Sequence, residues 1–340
     1  MAQVRILSAQ DIQQVFTIAD ALDAVEGAYR QKALGQAQAW PMVYEQFEPG
    51  VADMDIRSGR LAADHLWGLK LTAWFSGNPA QGLPEIYGTT LICDDQTGAP
   101  RALLNASAIT GLRTGAAGAL GIKWLARGDA RRVLVAGAGH QALYQVAATL
   151  AACPGIEHVD VWDPRSDQAP EARVAAMRTQ VAELLAAAGL ERGYELAAVA
   201  DGAAAAREAD AIVTITPATT PIIQDGWVTP GTHLSCVGAD MPGKQEVASA
   251  IHAAARLYVD DRAQSVSSGE LELPCAEGAV SADAIVAELG EVIAGTAQGR
   301  TSDDDITVFD TSGIAAQDLA SSLVALRRAE EAGLGTVVEL

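Results

Sequence analysis

Three charged side chains stand where they could bind or protonate a small molecule. Lys70 lies inside the apolar segment WGLKLTAW, so its ammonium either extends from a sheet surface or points into a site where desolvation would lower its pKa. Arg113 lies among small residues in TGLRTGAA, where a guanidinium can bind a carboxylate through two hydrogen bonds, the alternative being a surface ion pair. Asp240 follows an apolar run in SCVGADMPGKQE, and doubly wound sheets place active groups in such loops.

A glycine-rich turn after residue 136 predicts a dinucleotide-binding site. The run VLVA at 133–136 is typical of a strand buried on both faces, and GAGHQA at 137–142 matches a GxGxxA pattern that opens a helix. Gly137 would permit the tight turn, Gly139 would let the backbone approach a pyrophosphate, and free N–H groups at the helix start would bind it. The cofactor-binding residues expected here are Gly137, Gly139, His140 and Gln141. The alternative is a strand–turn–helix unit that binds no nucleotide.

Two further residues bear on the choice between NAD and NADP. Asp163 ends the next predicted strand, HVDVWD at 158–163, where a carboxylate would accept hydrogen bonds from the ribose hydroxyls of NAD. Arg165 follows two residues later and could instead pair with the 2′-phosphate of NADP. We expect the acid to dominate, because a like-charge contact is unfavourable where solvent is excluded. The sequence therefore predicts NAD as the cofactor.

Composition limits the class of protein. With 340 residues, 49 % hydrophobic and 19 % charged, the chain is globular and long enough for two domains. A formal net charge of −20 would repel nucleic acids and anionic membranes, so a carboxylate-binding site needs its own cations. The N-terminus lacks a signal-peptide layout, and no apolar run approaches the ~18 residues of a membrane span. Scattered cysteines and histidines favour a cytoplasmic protein with reduced thiols and no metal site.

Hydrophobic periodicity predicts a two-part organisation. A region of short strands in an antiparallel or mixed sheet precedes the glycine-rich turn, and strands alternate with helices after it. The expected segments are two helices within 5–36, strands at 42–47, 68–75 and 88–93, and helices at 107–126, 282–296 and 317–332. The predicted fold class is α/β, a Rossmann doubly wound parallel sheet plus an α+β substrate and dimerisation domain.

Motifs spread over nearly the whole chain resemble those of the ornithine cyclodeaminase/mu-crystallin family. They are GLK at 68–70, GNP at 77–79 with GLP at 82–84, RTGAA at 113–117, GAGHQA at 137–142 and VGADMPGKQE at 237–246. The resemblance implies a Rossmann domain at 119–317, inserted between 1–118 and 318–340 of a substrate domain whose sheet forms a homodimer. It also implies hydride transfer between nicotinamide and the α-carbon of an amino or imino acid.

The resemblance implies roles for individual residues as well. Lys70 matches the lysine near the substrate carboxylate and the reacting carbon, and Arg113 matches the arginine that binds the carboxylate. Asp240 matches the acid that activates water or transfers a proton. The residues that match the nicotinamide end of the family's site are Thr216, Ser312 and Gly313.

Two positions depart from the family pattern. Met42 follows Pro41 where the family usually has an arginine, and Arg57 is the nearest replacement, although no motif aligns it. Ala52 stands where ornithine-specific members carry a glutamate for the distal amine. Because a charge-assisted hydrogen bond contributes about 1.5–3 kcal/mol, this difference disfavours ornithine as the substrate.

Together these features predict an NAD-dependent oxidoreductase acting on a small α-imino or α-amino acid, either an imino acid reductase or a dehydrogenase similar to alanine dehydrogenase. Arg113 and Arg57 would hold the carboxylate, and Lys70 would polarise or protonate the imine. Asp240 would relay protons or activate water. Two alternatives remain open: a redox-neutral cyclodeaminase that releases ammonia, and a non-enzymatic nucleotide-binding protein like mu-crystallin.

Overall fold

The computed structural model of the chain describes residues 2–340. The first third contains two helices after its first strand and then a run of six strands, in the order β1 (Gln3–Leu7), α1 (Ala9–Gln13), α2 (Ile18–Ala33), β2 (Ala37–Ala39), β3 (Val43–Glu48), β4 (Ala52–Leu61), β5 (Leu66–Phe75), β6 (Ile86–Asp94), β7 (Pro100–Asn105) and α3 (Ser107–Leu125). The middle of the chain continues with β8 (Arg132–Ala136), α4 (His140–Ala152), β9 (His158–Trp162), α5 (Glu171–Ala187), β10 (Glu195–Val199), α6 (Gly202–Glu208), β11 (Ala211–Thr214) and β12 (His233–Cys236). The last third contains α7 (Ser249–Ala254), β13 (Arg256–Val259), α8 (Arg262–Ser268), α9 (Glu272–Ala276), β14 (Ile285–Glu288), α10 (Leu289–Ile293), β15 (Thr307–Asp310), α11 (Ala315–Glu331) and β16 (Thr336–Glu339).

The chain divides into two compact units. Unit 1 comprises Met1–Arg113 and Ile314–Leu340, and unit 2 comprises Thr114–Gly313. The two boundaries expected from the sequence, after 118 and after 317, lie five and four residues further along the chain than those of the structure. Unit 2 is therefore a continuous insertion within the sequence of unit 1.

Unit 1 is built on a mixed sheet, as the sequence predicted. Its strand order is β16-β1-β7-β6-β5-β4-β2, with β3 also paired to β4. β1 and β7 run parallel, whereas β4, β5 and β6 form long antiparallel pairs. Helix α11 packs on this sheet at Gly68, where an added Cβ would lie 2.8 Å from the Leu319 side chain. The absence of a side chain at Gly68 thus lets the first turn of α11 approach β5 closely.

The N-terminal prediction is partly confirmed and partly wrong. The two helices expected within 5–36 are α1 and α2, and Ser8 and Thr17 each begin one of them with a capping box to an acid three residues later. Residues 5–7, however, belong to β1 rather than to a helix, because β1 pairs with β7 and β16, and its side chains Val4 and Leu7 are buried. Strands β2, β4, β7 and β16 lie outside the segments that the sequence pattern predicts as strands.

Unit 2 contains a doubly wound parallel sheet, which confirms the predicted Rossmann architecture. Its order is β10-β9-β8-β11-β12-β15-β13-β14, and every neighbouring pair is parallel. The order reverses between β8 and β11, and such sheets bind ligands where the order reverses, outside the carboxyl ends of the strands. Val133 and Val135 lie in one hydrophobic core and Leu134 and Ala136 in the other, so the VLVA run is buried on both faces as predicted.

The helix expected at 282–296 is wrong in its first half. Residues 282–284 form a single 3-10 turn and residues 285–288 form strand β14, so that α-helix is confined to 289–293. Ile285 and Ala287 are buried whereas the intervening Val286 is exposed, which is the alternation of a strand. Strand β14 forms because it pairs with the edge of β13. The short alanine-rich sequence by itself does not indicate this pairing with a distant segment.

The thiols and the helix lengths complete the description of the fold. The four cysteines are free thiols, and Cys93 and Cys236 are buried. Within residues 2–340, none of the helices has the length and apolar character required to cross a lipid bilayer.

Candidate active site and cofactor-binding edge

Unit 1 contains a buried set of charged side chains, which we call the cation cluster: Arg57, Lys70, Arg113, Asp55 and Asp318. The three cations are 6, 4 and 7 % exposed. Lys70 Nζ donates a hydrogen bond of 3.0 Å to Asp318 Oδ1, and Arg113 Nε lies 3.0 Å from the same oxygen. Arg57 Nε donates to Asp55 Oδ1 at 3.2 Å. The structure therefore brings together all three residues that were expected to bind the substrate.

Four different elements position the cluster. Arg57 on β4 stands directly opposite Lys70 on β5 in the antiparallel register. Arg113 lies on α3, and Asp318 lies in the first turn of α11. Arg113 Nη1 also donates to Gln317 Oε1 at 3.2 Å, and the amide of Gln317 donates to the hydroxyl of Tyr29. Neighbouring helix residues thus fix the guanidinium of Arg113.

Burial and mutual repulsion control ionisation in the cluster. Burial lowers the pKa of Lys70 to about 8, and the positive charges of Arg113 and Arg57 add to this effect while Asp318 and Asp55 oppose it. Burial alone would raise the pKa of Asp318, but Arg113, Lys70 and Arg57 outweigh it and hold that pKa below its usual value. Lys70 is therefore an ammonium at neutral pH with a pKa suited to general acid catalysis.

Charge also indicates what the cluster binds. Its three cations and two carboxylates sum to a formal charge of +1 in a buried environment. Charge buried away from water is stabilised by an opposite charge, and guanidinium groups match the planar geometry of a carboxylate. The cluster consequently favours a small ligand with one carboxylate.

In unit 2, the predicted glycine turn has the geometry that a pyrophosphate requires. Gly137 adopts φ +129°, and an added Cβ would lie 2.5 Å from the Ile215 carbonyl oxygen. Its N–H donates to the Trp162 carbonyl at 2.8 Å. Gly139 caps α4, and nothing lies within 4 Å of the position a Cβ would take there. The turn thus excludes side chains at Gly137 and leaves open space at Gly139.

The start of α4 adds unpaired donors to that open space. His140 and Gln141 are the first two helical residues, and His140 is exposed. The first N–H groups of a helix have no partner within the helix and favour anions. The residues that are present therefore fit a dinucleotide pyrophosphate at this helix N-terminus.

At the end of β9, the structure surrounds Asp163 with two arginines. Arg165 Nε and Arg173 Nη1 lie 3.1 and 2.9 Å from its carboxylate oxygens. The hydrogen bond from the Arg165 side chain is the main cause that lowers the pKa of Asp163. Reasoning from sequence did not find Arg173, because it lies ten residues later on a helix with no motif around it. Both the acid and its arginines therefore stand at the strand end where a ribose is expected.

A buried glutamate fixes the loops after β11 and β12. Thr216, expected at the nicotinamide end, donates to Glu246 Oε1 through its N–H at 2.6 Å and its hydroxyl at 2.7 Å, and the Gly238 N–H donates to Glu246 Oε2 at 2.8 Å. Burial raises the pKa of both Glu246 and Glu270 to about 8, and repulsion from Glu270 adds to the shift of Glu246. The carboxyl groups of Glu246 and Glu270 therefore accept hydrogen bonds from backbone N–H groups and fix these loops.

Among residues 2–340, no group of three or more His, Cys, Asp or Glu side chains is placed to hold a metal ion.

The remaining predicted residues also follow strand ends of unit 2. Asp240 follows β12 and accepts a hydrogen bond of 2.7 Å from Lys244, with 44 % of its side chain exposed. Ser312 and Gly313 follow β15, where Ser312 is buried and the Gly313 N–H donates to Asp260 Oδ2 at 2.8 Å. Because the carboxyl ends of parallel strands share one edge, these residues lie along the same sheet edge as the glycine turn.

The fold and these two groups of residues define a class of protein, one with a Rossmann dinucleotide-binding unit and a second unit that contains a buried cation cluster. The profile of the ornithine cyclodeaminase/mu-crystallin family matches residues 3–332, and the chain belongs to this family. This membership confirms the resemblance inferred from the motifs.

Known proteins resemble the chain over most of its length. It is 36 % identical over 298 residues to a Delta(1)-pyrroline-2-carboxylate reductase of Paracoccus denitrificans, covering 87 % of this chain and 89 % of that protein. Its structure is similar to that of an archaeal alanine dehydrogenase dimer with bound NAD, with a TM-score of 0.87, 33 % identity and 99 % of both chains covered. It is also similar to the iminosuccinate reductase of P. denitrificans in complex with NAD+, with a TM-score of 0.86, 31 % identity and 99 and 100 % coverage.

Proposed function

We propose that this protein is an NAD-dependent oxidoreductase that reduces a small α-imino acid or, in the reverse direction, oxidises the corresponding α-amino acid. The observation that carries the proposal is the buried cluster of Arg57, Lys70 and Arg113, whose chemistry suits a carboxylate beside a C=N bond. The relatives support it, since they are named for pyrroline-2-carboxylate, iminosuccinate and alanine, and two of them hold NAD.

In this proposal the arginines bind the substrate and the lysine acts on its nitrogen. Arg113, held by Gln317, and Arg57 bind the carboxylate, which fixes the α-carbon next to it. Lys70, with a pKa of about 8, donates a proton to the imine nitrogen and makes the carbon more electrophilic. In the oxidative direction the neutral amine of Lys70 accepts that proton. Asp240 relays protons or activates water for hydrolysis of the imine.

The cofactor is assigned to the carboxyl edge of the sheet in unit 2. The residues proposed to hold it are Gly137, Gly139, His140, Gln141, Asp163, Arg165, Thr216, Ser312 and Gly313. When bound, the nicotinamide supplies or accepts the hydride. The open space at Gly139 receives the pyrophosphate, and the carboxylate of Asp163 binds the ribose hydroxyls.

A panel of 2-oxo acids, each mixed with ammonia or methylamine, tests the proposal through the consumption of NADH. We expect NADH consumption only when an oxo acid and an amine are both present. Release of ammonia from ornithine or lysine without net change in NADH would instead identify a cyclodeaminase. We expect no such release from ornithine, because a protein carboxylate is needed to bind its distal amine. Ala52, which occupies that position at the start of β4, is a buried side chain without charge.

A symmetric homodimer formed through the sheet of unit 1 is part of the proposal. Strands β3, β5 and β6 expose large apolar side chains, at Val43, Phe47, Phe75, Ile86 and Tyr87. Exposed apolar area of this kind marks interaction surfaces, and the similar alanine dehydrogenase is a dimer. Sedimentation at micromolar concentration is expected to give twice the 35.2 kDa chain mass, and a monomer would contradict this. The cytoplasmic location remains a prediction.

A further inference from the structure

One carboxylate joins the lysine and the arginine of the cation cluster. Asp318 Oδ1 accepts a hydrogen bond from Lys70 Nζ and lies 3.0 Å from Arg113 Nε. Its other oxygen, Oδ2, is buried and has no hydrogen-bond partner. Only 3 % of the Asp318 side chain is exposed, so its charge acts on these two cations with little screening by water.

The surroundings of Lys70 would otherwise favour the neutral amine. The charged groups that face it are Arg57 and Asp55 on β4, Arg113 on α3 and Asp318 on α11. Burial and the two arginines all oppose a positive charge at Lys70. Asp55 is hydrogen-bonded to Arg57, which leaves Asp318 as the carboxylate in direct contact with the ammonium.

We propose that Asp318 is a positioning residue that keeps Lys70 protonated and oriented as the proton donor, while the substrate carboxylate is bound by Arg113 and Arg57. This inference rests on the proposed function. In the reduction, the imine nitrogen takes a proton from Lys70, and the α-carbon takes the hydride that NADH loses on its oxidation to NAD+. The Lys70 amine then regains a proton from solvent. Asp318 exchanges no proton, because the surrounding cations keep it ionised.

The test is the pH dependence of kcat/KM for imino acid reduction by the full-length enzyme, compared between wild type and Asp318→Asn. In the wild type the activity is expected to fall as the pH rises through about 8, where Lys70 loses its proton. Removal of an opposite charge in direct contact lowers a lysine pKa by about 1–3 units. The descending limb of the variant is therefore expected about 1–3 pH units lower. Because about half of Lys70 is protonated at pH 8 in the wild type, this shift corresponds to a kcat/KM about 5–500-fold lower at that pH.

The Michaelis constant distinguishes this role from a structural one. In Asp318→Asn, loss of one negative charge is offset by loss of the Lys70 proton, so the charge that faces the substrate carboxylate is unchanged. KM is therefore expected to stay within about threefold of wild type. If Asp318 only holds the fold together, Arg113 would be misplaced, KM would rise and the pH limb would not move.

Three further variants complete the experiment. Asp318→Glu keeps the charge and is expected to return the limb to that of wild type. Asp318→Ala removes the charge with a shorter side chain, and it replaces Asp318→Asn if that variant does not fold. Asp95→Asn is the matched control, because Asp95 is also 3 % exposed in unit 1 and pairs with Arg60 at 2.7 Å; it is expected to leave the limb in place.

Two negative results are distinguishable. Superimposable pH profiles for wild type, Asp318→Asn and Asp318→Ala, with wild type active, would overturn the role of Asp318 and leave the proposed function standing. A wild-type enzyme that reduces none of the imino acids would overturn the proposed function itself, and with it this inference.

Discussion

The cation cluster of unit 1 and the carboxyl edge of unit 2 are assembled in different ways. The edge is built from short local segments, each a strand followed by a loop, and much of its chemistry comes from backbone N–H groups and glycine geometry. The cluster is built from charged side chains far apart in the chain, with Lys70 and Asp318 separated by 248 positions. Sites made of backbone are recognisable in local sequence, whereas sites made of buried charge depend on tertiary packing.

The largest effect is expected at the centre of the cluster. Lys70→Ala should lower kcat by about 10²–10⁴-fold, the usual contribution of a general acid, and leave NADH affinity nearly unchanged because Lys70 belongs to unit 1. Lys123→Ala, which removes an exposed lysine on α3, is the control and should be active. Steady-state kinetics and NADH fluorescence titration measure both effects. A near wild-type kcat/KM for Lys70→Ala would show that Lys70 takes no part in the reaction.

At the carboxyl edge of unit 2, a change of backbone geometry is expected to weaken the binding of NADH. Gly137→Ala places a Cβ 2.5 Å from the Ile215 carbonyl at φ +129°, so we expect NADH binding to weaken at least about tenfold and Tm to fall, given the ~1–3 kcal/mol of such strain. Gly189→Ala is the matched control in the same unit, because Gly189 also has positive φ, +70°, but nothing lies within 4 Å of its Cβ position. Equal NADH affinities for the two variants would show that the turn does not hold the cofactor.

A comparable effect, on substrate affinity rather than cofactor affinity, is expected at Arg113. Loss of a charge-assisted hydrogen bond of about 1.5–3 kcal/mol corresponds to a rise in KM of about 10–100-fold for Arg113→Ala, with NADH affinity retained. Arg60→Ala removes an arginine that is paired with a buried aspartate elsewhere in unit 1 and controls for loss of an ion pair. If KM is unchanged in Arg113→Ala, the carboxylate binds elsewhere.

The smallest effect concerns the choice between NADH and NADPH, which depends on charged side chains at the carboxyl edge of unit 2. We expect the wild type to prefer NADH over NADPH about tenfold or more, because Asp163 repels a 2′-phosphate. Asp163→Ala should reduce this preference, since Arg165 and Arg173 lose their partner and can bind the phosphate. The ratio of kcat/KM for the two cofactors measures it. A wild-type preference for NADPH would show that the arginines, not the acid, determine the choice.

What the sequence could predict follows the same division. The Rossmann sheet and the turn at Gly137 were predictable because each depends on a contiguous segment with a clear pattern. Lys70 and Arg113 stand out in the sequence as charges in unusual surroundings, and Arg57 as a replacement for a missing arginine. Asp318 does not stand out, since an acid in the first turn of a helix is ordinarily explained by the helix dipole. Its pairing with Lys70 exists only after α11 packs on β5.

Transfer of deuterium tests the central claim most directly. NADH that carries deuterium at the transferring position of its nicotinamide is incubated with the enzyme and an imino acid formed from a 2-oxo acid and methylamine, and the product is analysed by mass spectrometry and NMR. The account predicts deuterium on the α-carbon of the amino acid product and none in the recovered NAD+. A product without deuterium on that carbon would contradict it.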